Sequence, residues 1–229
     1  MKTPFILLVV AAIATAQRGG IKFTPPCQPV VDIVFLMVQS ASIMPEEHKA
    51  QVEFLTELSE KFNVGPYDVQ YSALVYSMSP NKLFDFKRLK TNAKVTRQLS
   101  RAVYRKGQTL TGKALDYIYT SNMFDSSSGA RDIATDIVVM ITDSVSKDQA
   151  ATSAAAKVLR DRGVNILAIG VGDASDKELN QITGNSSNVF KTESYDRLSN
   201  LKDTLVSRIC AVFKEDEGNN TIHIFISSH

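Results

Sequence analysis

The chain is poor in residues that interrupt regular structure. It has 7 prolines and 11 glycines in 229 residues and no long low-complexity tract, which excludes disorder over most of its length. Histidine is scarcer still. Of the 3 present, His48 falls on what reads as a charged helix face, and His223 and His229 lie close to the end. No Ser-His-Asp relay and no zinc-ligand constellation can be assembled from them. A Gly-x-Ser-x-Gly nucleophile elbow is missing as well. Beyond the first residues, no apolar stretch reaches the roughly 18 residues that would span a bilayer. No internal repeat appears. The length and a hydrophobic content of 44% suffice for the core of one α/β domain and not for two. These absences point away from catalysis, and the chain is expected not to be an enzyme.

The N-terminus has the pattern of a secretory signal. Lys2 supplies a positive start, residues 4–13 form a short apolar run, and Ala14-Thr15-Ala16 has the small-x-small pattern at a cleavage site. The expected division is a signal peptide at 1–16, a linker at 17–29, one domain at 30–210 and a tail at 211–229. An uncleaved anchor is the other reading of the first segment. Secretion changes how the 2 cysteines read: Cys27 precedes the first periodic segment and Cys210 ends the last. In an oxidising compartment that placement suggests one bond joining the domain's ends, the alternative being two separate thiols. Asn185-Ser186-Ser187 and Asn219-Asn220-Thr221 are glycosylation sequons.

From residue 30 the pattern alternates. Strands are expected at 30–38, 69–77, 134–142, 165–171 and 188–192, with a short exposed edge strand at 82–86. The first is apolar throughout except for Asp32, as in a strand buried on both faces. Helices are expected at 45–62, 92–104, 111–124, 147–162, 176–182 and 195–210. Pro45, Glu46 and Glu47 suit the start of the first, with Val52, Leu55, Leu58 and Phe62 as its apolar stripe. Gly163 and Gly184 close two others. The tail begins polar and ends in a small apolar patch at 222–226. This order predicts an α/β, doubly wound, mostly parallel central sheet with one antiparallel edge strand and helices on both faces. Ligands on such sheets sit at the carboxyl ends of the strands, where strand order reverses.

At those ends the sequence places Ser40-Ala41-Ser42 after the first strand and Thr142-Asp143-Ser144 after the central one. Gly107-Gln108-Thr109-Leu110-Thr111-Gly112-Lys113-Ala114-Leu115 lies between them. Serine and threonine hydroxyls with a carboxylate are hard oxygen donors of the kind Mg²⁺ and Mn²⁺ accept. The same hydroxyls also suit helix caps and turns. The run Asp32-Ile33-Val34-Phe35-Leu36 followed by Ser-x-Ser resembles the first strand and loop of von Willebrand factor type A domains. The segments 109–115, 137–143 and 163–172 resemble that family's threonine loop, central strand with its aspartate, and following strand. The resemblance runs from about Cys27 to Cys210. It implies a Rossmann-like three-layer fold, flanking cysteines, and a metal-ion-dependent adhesion site (MIDAS) of the form Asp-x-Ser-x-Ser plus a threonine and a second aspartate. Position by position that site falls on Val38, Ser40, Ser42, Thr109 and Asp143, and Val38 departs from the pattern. Replacing one of two carboxylates by an apolar side chain weakens such a site, because cation affinity follows ligand charge. Either the domain works without metal and has no cofactor, or a partner's carboxylate completes the shell of a Mg²⁺ or Mn²⁺ ion in the complex.

Two further patterns compete for attention. Gly107 to Lys113 spells most of a phosphate-binding loop. Ala114 stands where Ser or Thr is needed, however, and no strand precedes it, so it is set aside. The glycines of Gly170-Val171-Gly172 lack the third of a dinucleotide fingerprint. Residues 82–106 hold nine basic side chains and a single acid, Asp85, so the rest of the mature chain is net acidic. Lys87, Lys90, Lys94, Arg97, Arg101 and Arg105 are the candidate polyanion contacts, the last four lining one face of the helix expected at 92–104. A merely solvated helix face is the alternative. The expected function is that of a secreted extracellular binding or adhesion module. Its partners would be extracellular or matrix proteins, collagen-like proteins or acidic polymers, without nucleic acid or a membrane span. The basic face offers the other reading, a matrix protein that binds sulfated glycan, acidic protein or mineral.

Overall fold

A computed structural model describes residues 27–226, with side chains to residue 216. The expected signal segment at 1–16 and most of the linker lie outside the described residues. Six strands form one sheet in the order β3-β2-β1-β4-β5-β6. They are β1 (Val31–Val38), β2 (Val69–Tyr76), β3 (Pro80–Phe84), β4 (Thr135–Thr142), β5 (Asn165–Val171) and β6 (Val189–Thr192). All neighbours are parallel except β3, which runs antiparallel along the edge of β2. Every residue of β1 and β2 is buried, as is nearly all of β4 and β5. Their β-branched and aromatic composition is what a strand covered on both faces requires. Phe35 stacks on Tyr71 with ring centroids 5.1 Å apart, joining β1 to β2 within the core.

Among the described residues six α-helices cover the sheet: α1 (Pro45–Ser59), α2 (Asn92–Leu99), α3 (Thr111–Thr120), α4 (Gln149–Asp161), α5 (Asp176–Thr183) and α6 (Lys202–Ile226). Packed pairs divide them into two groups, α1 with α2 and α6, and α3 with α4 and α5. The ends follow local chemistry. Met44 N donates to Glu47 Oε2 at 2.8 Å, Asp148 Oδ1 accepts from Ala151 N at 3.1 Å, and Gly163 takes φ 84° just past α4. A different use of glycine joins α3 to α4. A Cβ on Gly112 would lie 2.7 Å from Thr152 N and 2.8 Å from the Ala151 carbonyl carbon, so the two helices touch through backbone.

Several expectations are corrected. The helix expected at 92–104 stops at Leu99. Beyond it the ladder tightens and stops: Arg101 N and Ala102 N bond only three residues back, to Gln98 O and Leu99 O, and the next carbonyls meet side chains of other elements. His48 Nε2 contacts Ala102 O at 3.1 Å, and Gln39 Nε2 donates to Val103 O at 2.6 Å. His48 is therefore not on a charged, solvated face. It is 7% exposed and stacks on Tyr104. In α1 the buried apolar positions are Phe54, Leu55 and Leu58; Val52 is only half-buried, and Phe62 packs in the core from beyond the helix end. The edge strand sits at Pro80–Phe84, two residues earlier than expected. Residues 195–201 form a 3₁₀ segment before α6. The helix expected to end at Cys210 continues to Ile226, through the region expected to be a separate tail. Val212 is buried and Thr135 Oγ1, at the start of β4, donates to Asp216 Oδ2 at 2.7 Å, so contacts past Cys210 hold the helix to the domain.

Candidate functional site

Strand order reverses between β1 and β4, which leave the first half of the chain on one side and the second half on the other. Their carboxyl ends are side by side, with Met37 paired to Ile141. The chain turns sharply after β1. Gln39 N donates to Tyr76 O at 2.7 Å and Ala41 N to Gly107 O at 2.8 Å, which fastens the Ser40–Ser42 turn to β2 and to the loop before α3. The turn aims both serines at the aspartate that follows β4. Ser40 Oγ donates to Asp143 Oδ2 at 2.9 Å and Ser42 Oγ to the same oxygen at 2.7 Å, and the two hydroxyls are 2.6 Å apart.

Thr109 joins this group indirectly. Its Oγ1 is 3.1 Å from Ser144 Oγ, which donates to Asp143 Oδ1 at 3.2 Å. The structure thus brings Ser40, Ser42, Thr109 and Asp143 to one place and inserts Ser144 between threonine and carboxylate. Val38, the last residue of β1, is fully buried. The cluster carries one carboxylate and four hydroxyls, and both carboxylate oxygens already accept hydrogen bonds.

Beneath the hydroxyls lies a support that sequence reasoning missed. Glu178, in the first turn of α5, accepts from Ser146 N at 3.0 and 3.2 Å, and burial raises its carboxyl above the usual range. Ser146 Oγ in turn accepts from Thr111 N at 3.2 Å, and Lys147 N donates to Thr109 O at 2.9 Å. The threonine loop is thereby held against the loop after β4. In the sequence Glu178 looks like an ordinary acid near a helix N-terminus, so only the packing of α5 reveals what it supports. Three exposed apolar residues lie on the neighbouring segments: Met44 two positions after Ser42, Met78 next to Ser77, whose carbonyl accepts from Leu110 N, and Val103, whose carbonyl accepts from Gln39.

The other candidates are distributed elsewhere. Cys27 and Cys210 are joined in a disulfide with Cα atoms 5.7 Å apart, across a sequence separation of 183. Asn185 is exposed, and its side chain accepts from Ser187 N at 2.9 Å. Asn219 lies in α6 beyond the described side chains. Of the basic candidates, Lys94, Arg97 and Arg101 line one groove together with Arg88, which was not singled out. Arg101 and Arg105 fall after the end of α2, so the expected single helical stripe does not form. Lys90 Nζ is spent on Gln70 Oε1 and Phe86 O, and Lys87 and Arg105 are exposed outside the groove. Among the described residues no helix is long and apolar enough to cross a membrane.

Comparison with known proteins agrees with this architecture. The collagen alpha-4(VI) chain of Mus musculus is 33% identical over 180 residues, which is 79% of this chain and 8% of that protein. Matrilin-1 of Gallus gallus is 29% identical over 182 residues, 79% of this chain and 36% of the relative. This chain therefore spans a minor part of either protein. Among solved structures, proximal thread matrix protein 1 from the mussel byssus, with a zinc-occupied MIDAS motif, superposes with a TM-score of 0.76. It is 27% identical and the match covers 80% of this chain and 49% of that one. Residues 32–204 match the pattern that defines the von Willebrand factor type A domain, and the chain belongs to that family.

Proposed function

We propose that this protein is a secreted, non-catalytic matrix module that docks protein partners on the face around Ser40, Ser42, Thr109 and Asp143, and that it does so without a resident metal ion. The relatives named above are collagen VI, matrilin and a byssal thread matrix protein, which supports a role in an extracellular matrix. Met44, Met78 and Val103 supply exposed apolar area round a polar centre, the usual anatomy of a protein interface.

The observation that carries the metal-free reading is the residue at the end of β1. Val38 is fully buried where the family's site has its first aspartate, and a divalent cation would meet one carboxylate instead of two. The donor set does not fit a resident cation. The test is calorimetric titration of Mg²⁺ and Mn²⁺ into the protein and into Val38→Asp. The expected result is no binding by the wild type and binding by the variant. A wild-type dissociation constant tighter than about 100 μM overturns the proposal.

A further inference from the structure

The basic segment at 82–106 folds along one edge of the sheet, through β3, the connection to α2, α2 itself and the residues that follow. Four of its cations converge. Arg88, Lys94, Arg97 and Arg101 line a groove of about 520 Å³ over Phe84 and Leu89, and among the described residues no acid lines it. All four are exposed. Among the described residues, none of the four takes part in an ion pair, while cations elsewhere form eight: Lys49, Lys61, Arg131, Lys157, Lys191, Arg197, Lys202 and Arg208 each have a carboxylate partner. Among the described residues none of the four donates a side-chain hydrogen bond either. Like charges gathered without counter-charge repel, so the fold draws no stability from this arrangement, and its attraction is directed outward.

We infer that this groove binds a sulfated polysaccharide. Three of the four cations are arginines, whose planar guanidinium presents paired N–H donors matched to the oxygens of a sulfate group. An open groove with charges along it fits a repeating anionic chain. The one aromatic ring beneath it, Phe84, is 3% exposed and offers no face on which a nucleic-acid base could stack. Leu89, at 4%, is equally withdrawn, which leaves no apolar anchor for an acidic protein. The inference is independent of the docking face described above, because it rests on other residues.

The experiment measures binding of the secreted protein to immobilised heparin at about 0.15 M salt, with soluble competitors. Wild type should be retained, elute at higher salt, and be displaced by dextran sulfate far better than by polyglutamate or an RNA homopolymer. Combining Arg88→Ala, Lys94→Ala, Arg97→Ala and Arg101→Ala should lower affinity by at least about tenfold, since each exposed charge pair adds a modest increment. A matched variant combining Lys82→Ala, Lys87→Ala, Arg105→Ala and Lys106→Ala loses the same charge, keeps the groove and should stay within about threefold of wild type. Thermal melting of both checks the fold. Equal losses in the two variants would mean a diffuse field and overturn the groove. So would a wild type that is not retained. Equal displacement by polyglutamate or RNA would overturn the sulfated ligand.

Discussion

At the scale of single residues, two positions decide the character of the two ends of the sheet. Val38, fully buried, leaves Asp143 as the one carboxylate within the hydroxyl cluster at the carboxyl end. In Val38→Asp a second carboxylate is buried beside the first, so the variant should melt below wild type in EDTA and regain stability when Mg²⁺ is added. A variant melting that ignores Mg²⁺ would show that Val38 is not what disables the site. At the opposite end Asp136 Oδ1 is buried without a hydrogen-bond partner among the described residues. Burial first, and then the charges of Asp32 and Asp216, push its carboxyl up to about 8 from an ordinary 3.8. The folded state therefore holds this proton more tightly than the unfolded chain. The resulting stability is complete below pH 3.8 and is lost as pH rises towards and through 8. Asp136→Asn should leave the melting temperature unchanged near pH 4 and raise it by a few degrees at pH 8. Melting curves across that range check it, and an equal shift at both ends would contradict the assignment.

At the scale of elements, the contacts between helices carry the argument. Gly112 is the point where α3 meets α4 backbone to backbone. Gly112→Ala improves helix propensity by about 1 kcal/mol, yet its methyl group meets main-chain atoms that cannot swing aside. We expect net destabilisation of about 1–3 kcal/mol by denaturant melting. A neutral or stabilising result would mean that the helices separate at little cost. α5 acts through Glu178, whose carboxylate anchors Ser146 and with it the threonine loop. α2 shows why local pattern misjudges length. Its apolar and basic spacing continues past Leu99, but the chain there tightens to three-residue bonds, and contacts of His48 and Gln39 with the carbonyls of residues 102 and 103 tie the following segment to other elements.

At the scale of the molecule, two links tie distant parts of the chain together. Asp32, fully buried in β1, accepts from Arg131 Nε at 3.0 Å, Nη2 at 2.8 Å and backbone N at 2.7 Å. Arg131 also donates to the carbonyls of Val31, Pro66 and Asp68, so one guanidinium joins β1, the turn before β2 and the approach to β4. Asp32→Ala should cost about 3–5 kcal/mol, because it leaves that cation without its counter-charge. The second link is Cys27–Cys210, which closes nearly the whole domain into one loop. Cys210→Ser should lower unfolding stability by about 2–5 kcal/mol, measured against wild type under non-reducing conditions. A loss below 1 kcal/mol in roughly that comparison would show that the ends are held by packing alone.

The strand-helix alternation, the fold class and the cluster at the strand ends were all legible in the sequence. Each follows from short-range pattern: β-branched runs for buried strands, 3.6-residue periodicity for helices, and hydroxyl-rich turns directly after strands. The position of Val38 was equally plain, because it is one letter in a recognisable motif. What the sequence could not contain is which groups meet across the chain. Asp32 appeared as an interruption in an apolar strand until Arg131, nearly a hundred residues away, came to lie beside it. The same holds for Glu178 under the threonine loop, for His48 inside the core and for Arg88 beside Lys94, Arg97 and Arg101. Periodicity reports which face of an element is apolar, whereas hydrogen-bond partners and converging charges depend on how elements pack, and only the tertiary structure decided those.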